Sequence, residues 1–286
     1  MSTSRIPTAG HSGGAVAQSE LPGALVMEGA TLAYESREIA RDLSLTVRPG
    51  SFTVIIGPNA CGKSTSLRAL ANLLRPRAGA ITLDGRDIHR MPSRDLARRL
   101  GLLPQGASAP EGISVADLVT RGRYPHQSMF SRWSAEDERA VAEALEVTGM
   151  TDLSSRSVDE LSGGQRQRAW VALVLAQRTD LMLLDEPTTF LDIAHQISLL
   201  DLFAELNARG RTLVAVLHDI NHAARYASDL VVMREGGIYA QGRPAEVISS
   251  RMLADVFGIE AEVIEDPVNG GPLVVPRHSG AHRFAR

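Results

Sequence analysis

The run Phe52-Thr53-Val54-Ile55-Ile56 leads straight into Gly57-Pro58-Asn59-Ala60-Cys61-Gly62-Lys63-Ser64-Thr65. The first stretch is β-branched and aromatic, which suits a buried strand. The second has the pattern Gly, four residues, Gly-Lys-Ser, and opens a helical stretch over 64–74. No other feature constrains the fold as strongly as this strand, glycine loop and helix. The glycines let successive N–H groups turn inward toward phosphate oxygens, and the helix adds the positive end of its dipole. In such a loop Gly57, Asn59, Gly62, Lys63, Ser64 and Thr65 cradle ATP. Lys63 reaches the β- and γ-phosphates, and the Ser64 hydroxyl binds Mg²⁺.

The remaining pattern extends this into an α/β fold. Leu181–Leu184 and Leu213–Leu217 are unbroken apolar runs separated by an amphipathic stretch at Ile193–Asn207. Apolar strands alternating with helices indicate a parallel sheet covered on both faces. Leu230–Met233, Gly236-Gly237 and Ile238–Ala240 read as a closing hairpin. Before the loop, Leu43, Leu45 and Val47 alternate with polar neighbours, as in a half-buried strand, and Gly79–Leu83 is a second short-strand region. Residues 90–178 read as a mostly helical insert. Ser93–Arg99, Val115–Arg121 and Ser162–Gln177 are helical, and Ser134-Ala135-Glu136-Asp137 is a capping box opening a helix that Gly149 ends. The expected organisation is a disordered tail over 1–22, a catalytic domain over 23–260 and a C-terminal extension over 261–286, with 275–286 frayed.

Composition narrows the function. The chain has 286 residues, 44% hydrophobic and 22% charged, with net charge −3, so no global basic field invites nucleic acid. Arg94, Arg98 and Arg99 are expected on a solvated helix face. No apolar run approaches the roughly 18–20 residues of a membrane-crossing helix, and residues 1–22 lack a signal peptide's hydrophobic stretch. The single cysteine excludes an internal disulfide framework and fits a reducing cytoplasm.

The strand Leu181–Leu184 ends in Asp185-Glu186. Two carboxylates there are costly unless they face solvent, metal or ligand. Asp185 suits the Mg²⁺ shell, and Glu186 suits a general base acting on the attacking water. With the glycine loop, they specify a nucleoside triphosphatase.

Leu161-Ser162-Gly163-Gly164-Gln165-Arg166-Gln167-Arg168 resembles the signature motif of the ABC (ATP-binding cassette) family. The resemblance implies a P-loop NTPase (RecA-like) core with an N-terminal antiparallel β subdomain and a helical subdomain. It also implies a head-to-tail dimer, in which Ser162, Gly163, Gly164 and Gln165 of one subunit close on ATP held by the other. By the same resemblance Tyr34 stacks on adenine, Gln105 touches Mg²⁺ or the attacking water, Asp192 of Phe190-Leu191-Asp192 crosses the dimer interface, and His218 contacts the γ-phosphate and Glu186. Ala60 and Phe190-Leu191 depart from the usual residues. His222 reads as structural. Cys61, beside Lys63 and a helix N-terminus, is expected to have a depressed pKa and to be open to thiol inactivation.

A finer resemblance, to the ATPases of ferric-siderophore, haem and cobalamin importers, rests on three strings. They are Leu103-Pro104-Gln105, Arg121-Gly122-Arg123-Tyr124-Pro125-His126, and Leu184 to Gln196. The last is nearest to the ferric-siderophore group. It implies permease subunits in the membrane, a periplasmic or lipoprotein binding protein that acts indirectly, and a place on the cytoplasmic face of the cell membrane. Gly106–Trp133 is the expected docking segment for the permease. The rivals are a haem or cobalamin importer, a soluble non-transport ABC ATPase, and a non-hydrolysing nucleotide sensor.

Overall fold

The structure, a computed structural model, describes residues 23–127, 133–189 and 191–277. The expected tail over 1–22, Met129 and Phe130 of the docking segment, Phe190, and the last residues from 278 lie outside them. In chain order the elements are β1 (Leu25–Tyr34), β2 (Arg37–Val47), β3 (Phe52–Ile56), α1 (Lys63–Leu70), β4 (Ala78–Leu83), β5 (Arg86–Asp87), α2 (Ser93–Ala97), β6 (Leu100–Leu103) and α3 (Val115–Thr120). Then come α4 (Ala135–Val147), α5 (Gly163–Ala176), β7 (Leu181–Asp185), α6 (Ile193–Ala208), β8 (Thr212–Val216), α7 (Ile220–Tyr226), β9 (Asp229–Arg234), β10 (Gly237–Gly242), β11 (Ala261–Glu265) and β12 (Pro272–Pro276). No helix among the described residues is long and apolar enough to cross a membrane.

The central sheet runs β10-β9-β3-β8-β7-β6, parallel except for the β9–β10 hairpin. Every residue of β3, β7 and β8 is buried. Strand alternation decides which core each side chain joins. Phe52, Val54 and Ile56 face one cluster with Met182, Leu184, Leu199 and Phe203. Ile55 joins the opposite one with Leu67, Leu70, Leu183 and Val214. That second cluster runs on into Leu25, Leu43 and Leu83 of the antiparallel sheet β2-β1-β4-β5, so α1 is clamped between the two sheets. A third cluster, with Leu118, Val119, Leu145, Ala169 and Ala172, holds the helical lobe. The expected capping box forms, Ser134 with Asp137, and Ser162 forms a second one with Gln165.

Two features differ from expectation. Arg94 and Arg98 are not a purely solvated face: both Nε atoms donate to the Pro125 carbonyl, at 2.9 and 2.8 Å, and Arg99 pairs with Asp84. The C-terminal extension contains the β11–β12 hairpin, docked on α7 through Asn221, whose side chain accepts from Val274 N at 2.8 Å and donates to its carbonyl at 3.2 Å.

Candidate nucleotide site

The loop after β3 is shaped by contacts no side chain could share. Gly57 has φ +155, and a Cβ there would sit 2.3 Å from the Met233 carbonyl oxygen. The Lys63 ammonium is buried and donates to the Gly57 and Pro58 carbonyls, both at 2.9 Å. Helix α1 starts on Gly62 with no side-chain cap, which leaves its first N–H groups for an anion. Ala60 adopts φ +62, a conformation that costs a residue with a Cβ about 1–2 kcal/mol and that accounts for the usual glycine. A cleft of about 300 Å³ lies over the loop, lined by Asn59, Gly62, Lys63, Ser64 and Thr65, by Glu186 and His218, and by Arg37 and Ile39.

Register brings the polar groups together. Leu103 pairs with Leu184 and Asp185 with Val216 in parallel ladders, so Gln105, Glu186 and His218 all lie just past neighbouring strand ends. Gln105 Nε2 donates to Glu186 Oε2 at 2.7 Å, and Thr189 Oγ1 donates to the same oxygen at 3.2 Å. His218 Nε2 meets Glu186 Oε1 at 2.7 Å. Glu186 is thus held by three donors, and its backbone lies at φ +52, a sparsely populated region for a residue with a side chain. Asp185 is buried, and its Oδ1 has no partner among the described residues. Burial pushes its carboxyl above the ordinary value, a hydrogen bond from Ser64 opposes this, and the Glu186 charge adds to it. Oxygen donors on Ser64, Gln105 and Asp185 suit a hard divalent cation such as Mg²⁺.

The signature residues are elsewhere. Ser162 caps α5: its hydroxyl accepts from Gln165 N at 3.3 Å, and Gln165 Oε1 accepts from Ser162 N at 3.1 Å. Asp192 caps α6, accepting from His195 N at 2.9 Å and meeting His195 Nδ1 at 2.7 Å. Those two bonds, the backbone one first, hold the Asp192 carboxyl below its ordinary value. Ser162, Gly163, Gly164, Gln165 and Asp192 do not line the cleft over the loop.

Residues 40–189 match the ABC transporter family. The ferric enterobactin transport ATP-binding protein FepC of Escherichia coli (strain K12) is 55% identical over 250 residues, 87% of this chain and 92% of the relative. This chain belongs to the ABC transporter ATP-binding family. The probable siderophore transport system ATP-binding protein YusV of Bacillus subtilis (strain 168) is 51% identical over 258 residues, 90% and 94% of the two chains. A hemin import ATP-binding protein, HmuV of Myxococcus xanthus (strain DK1622), is 42% identical over 241 residues, 82% and 90%. Among solved structures, a metal-chelate type ABC transporter in an inward-facing conformation superposes with TM-score 0.77 at 28% identity, covering 90% of this chain and 98% of that one. A dimeric post-hydrolysis state of the cassette MJ0796, bound to ADP and Pi, gives TM-score 0.68 at 25% identity, covering 77% and 98%.

Tyr34 stands outside the cleft lining, 42% exposed at the end of β1, with its hydroxyl accepting from Arg68 Nη1 at 3.3 Å. The cleft wall next to it is built by Arg37 and Ile39, whose only sequence signal is their place at the start of β2. Cys61 departs from its expectation. It is buried, and burial pushes its thiol up by more than the nearby Lys63 charge pulls it down. Alkylation by iodoacetamide at pH 7.4 should therefore run at least about tenfold slower than for a free cysteine, with or without ATP. A rate equal to that of free cysteine, measured by mass spectrometry of the intact chain, would contradict the buried placement.

Proposed function

We propose that this chain is the ATP-hydrolysing subunit of an importer for a ferric-siderophore-type iron chelate, acting as a head-to-tail dimer. The observation that carries the hydrolytic reading is the Glu186 carboxylate, fixed by Gln105, His218 and Thr189 at the rim of the phosphate loop. Residues 23–260 form the catalytic unit. Gly57, Asn59, Gly62, Lys63, Ser64 and Thr65 hold the phosphates of ATP, and Tyr34 offers its ring to adenine. Ser64, Asp185 and Gln105 would hold Mg²⁺, which when bound neutralises phosphate charge. Glu186 takes the proton of the attacking water, and His218 orients Glu186 and contacts the γ-phosphate. Ser162, Gly163, Gly164 and Gln165, at a helix N-terminus, close on the γ-phosphate held by a second copy, with Asp192 at the same interface.

The cargo reading rests on similarity to ferric enterobactin and siderophore transport proteins. It places the dimer on the cytoplasmic face of the membrane, docked on permease subunits through Gly106–Trp133, with a binding protein delivering the chelate from outside. Haem import is the second reading, favoured by the hemin import relative. Deleting the gene should abolish growth on the ferric siderophore as sole iron source while leaving growth on excess ferrous iron unchanged. Growth on the siderophore that survives deletion, with loss of growth on haem, would move the assignment to haem.

A further inference from the structure

The string that opens α6, Asp192-Ile193-Ala194-His195-Gln196, holds more than an interface carboxylate. His195 reaches two elements at once. Its backbone N–H and Nδ1 both meet Asp192 Oδ1. An ionised carboxylate only accepts, so Nδ1 carries the proton. The opposite edge of the ring lies on the start of α5: a Cβ built on Gly164 would be 3.2 Å from His195 Cδ2 and 3.6 Å from Nε2. The imidazole therefore fills the space above a signature glycine. One turn further on, Arg168 Nη2 donates to Ser198 Oγ at 3.2 Å and ties the same two helices again. Gln196 closes the other side. Its Nε2 donates to Leu191 O at 2.9 Å and Thr188 O at 3.3 Å, within the turn that Thr189 links back to Glu186.

We propose that His195 is a positioning residue that fixes Asp192 and the Ser162–Gly164 turn as one rigid unit, so that both arrive together at the nucleotide of a second copy. This rests on the head-to-tail dimer proposed above. A preset pair of contact groups has less freedom to lose on association, so the effect belongs to closure of the dimer and not to ATP binding by one chain. Histidine suits the role because one ring supplies a donor to its own helix cap and a flat edge against a residue without a side chain. Alanine supplies neither. Asparagine supplies the donor alone.

The test uses the full chain with Glu186→Gln, in which nucleotide is bound but not consumed, and reads dimer by light scattering as Mg-ATP is titrated. Adding His195→Ala should raise the ATP concentration for half-maximal dimer by about tenfold. Affinity of the dilute, monomeric chain for a fluorescent ATP analogue should stay within about twofold. His195→Asn should shift the dimer midpoint by about threefold, a partial rescue that loss of folding could not give. If Glu186→Gln dimerises and both His195 variants dimerise at its midpoint, the positioning role is wrong while the dimer stands. If Glu186→Gln itself stays monomeric at saturating Mg-ATP, the dimer reading fails and takes this proposal with it. Should His195→Ala not fold by circular dichroism, His195→Asn decides alone, and an unshifted midpoint overturns the proposal.

Discussion

Replacing Glu186 by glutamine is expected to lower steady-state ATP hydrolysis by about 10²–10⁴-fold, the usual contribution of a positioned general base, while ATP binding persists. The carboxylate is held on both oxygens, by Gln105 and Thr189 on one and by His218 on the other. Glutamine has nearly the same shape but a single acceptor oxygen. Its amide nitrogen can only donate, so the group facing it loses a partner and the water loses its base. The phosphate loop does not depend on this residue: Lys63 is held by Gly57 and Pro58. The variant should therefore accumulate as an ATP-bound dimer, since binding closes the pair and nothing consumes the ligand. Phosphate release and light scattering on the same sample check both halves. A rate within about tenfold of the parent would remove Glu186 as the base. Loss of ATP binding would instead indicate that the cleft had collapsed.

Much of this site is legible in the amino-acid sequence because it is written locally. A strand, a glycine loop and a helix are contiguous, and the capping box at Ser134–Asp137 is a four-residue pattern that needs no distant partner. Asp185 and Glu186 are legible because acids at the end of an apolar strand have few places to go. The meeting of Glu186 with Gln105 and His218 depends on strand order, which family resemblance supplies and spacing does not. Properties set by burial are the ones that sequence misreports. Cys61 has a charged neighbour in the chain, whereas the folded loop removes it from water, and that outweighs Lys63. Arg94 and Arg98 carry charge in any sequence, but only the fold brings the Pro125 carbonyl to them. The segment proposed for docking divides in the same way. Tyr124 is 59% exposed, Arg123 is buried, and His126 Nε2 lies 2.8 Å from the Gln177 carbonyl oxygen. The β11–β12 hairpin is apolar enough to pair, but what fixes it is distant in the chain: Ala261 and Val274 join the core cluster that holds Ala223 and Ala224 of α7, and Asn221 bonds Val274.

Arg123→Met is expected to destabilise the protein by about 3–5 kcal/mol, the typical loss when one member of a buried ion pair is removed. Arg123 is 2% exposed and Asp137 5%. The guanidinium donates to Asp137 Oδ1 at 2.8 Å and to the Ala176 carbonyl at 2.9 Å, joining the Arg121–His126 turn to α4 and to the end of α5. Methionine fills similar space but leaves Asp137 charged, buried and without the cation that pairs with it. Burial alone pushes the Asp137 carboxyl up, yet hydrogen bonds from Ser134 and Arg123 outweigh it and hold it below its ordinary value of 3.8. Asp137 thus binds fewer protons folded than unfolded between those two values, so its stabilisation is complete above about pH 4 and is lost as pH falls through the lowered native value. The parent should lose stability on acidification more steeply than Asp137→Asn. The decisive comparison is Arg123→Met with Asp137→Leu. The double variant has no stranded charge, so it should be more stable than Arg123→Met alone, although half of the capping box at Ser134 goes with Asp137. Urea denaturation of the four chains gives the coupling. A double variant weaker by the full sum of the two single losses would mean that the two side chains do not act as a pair.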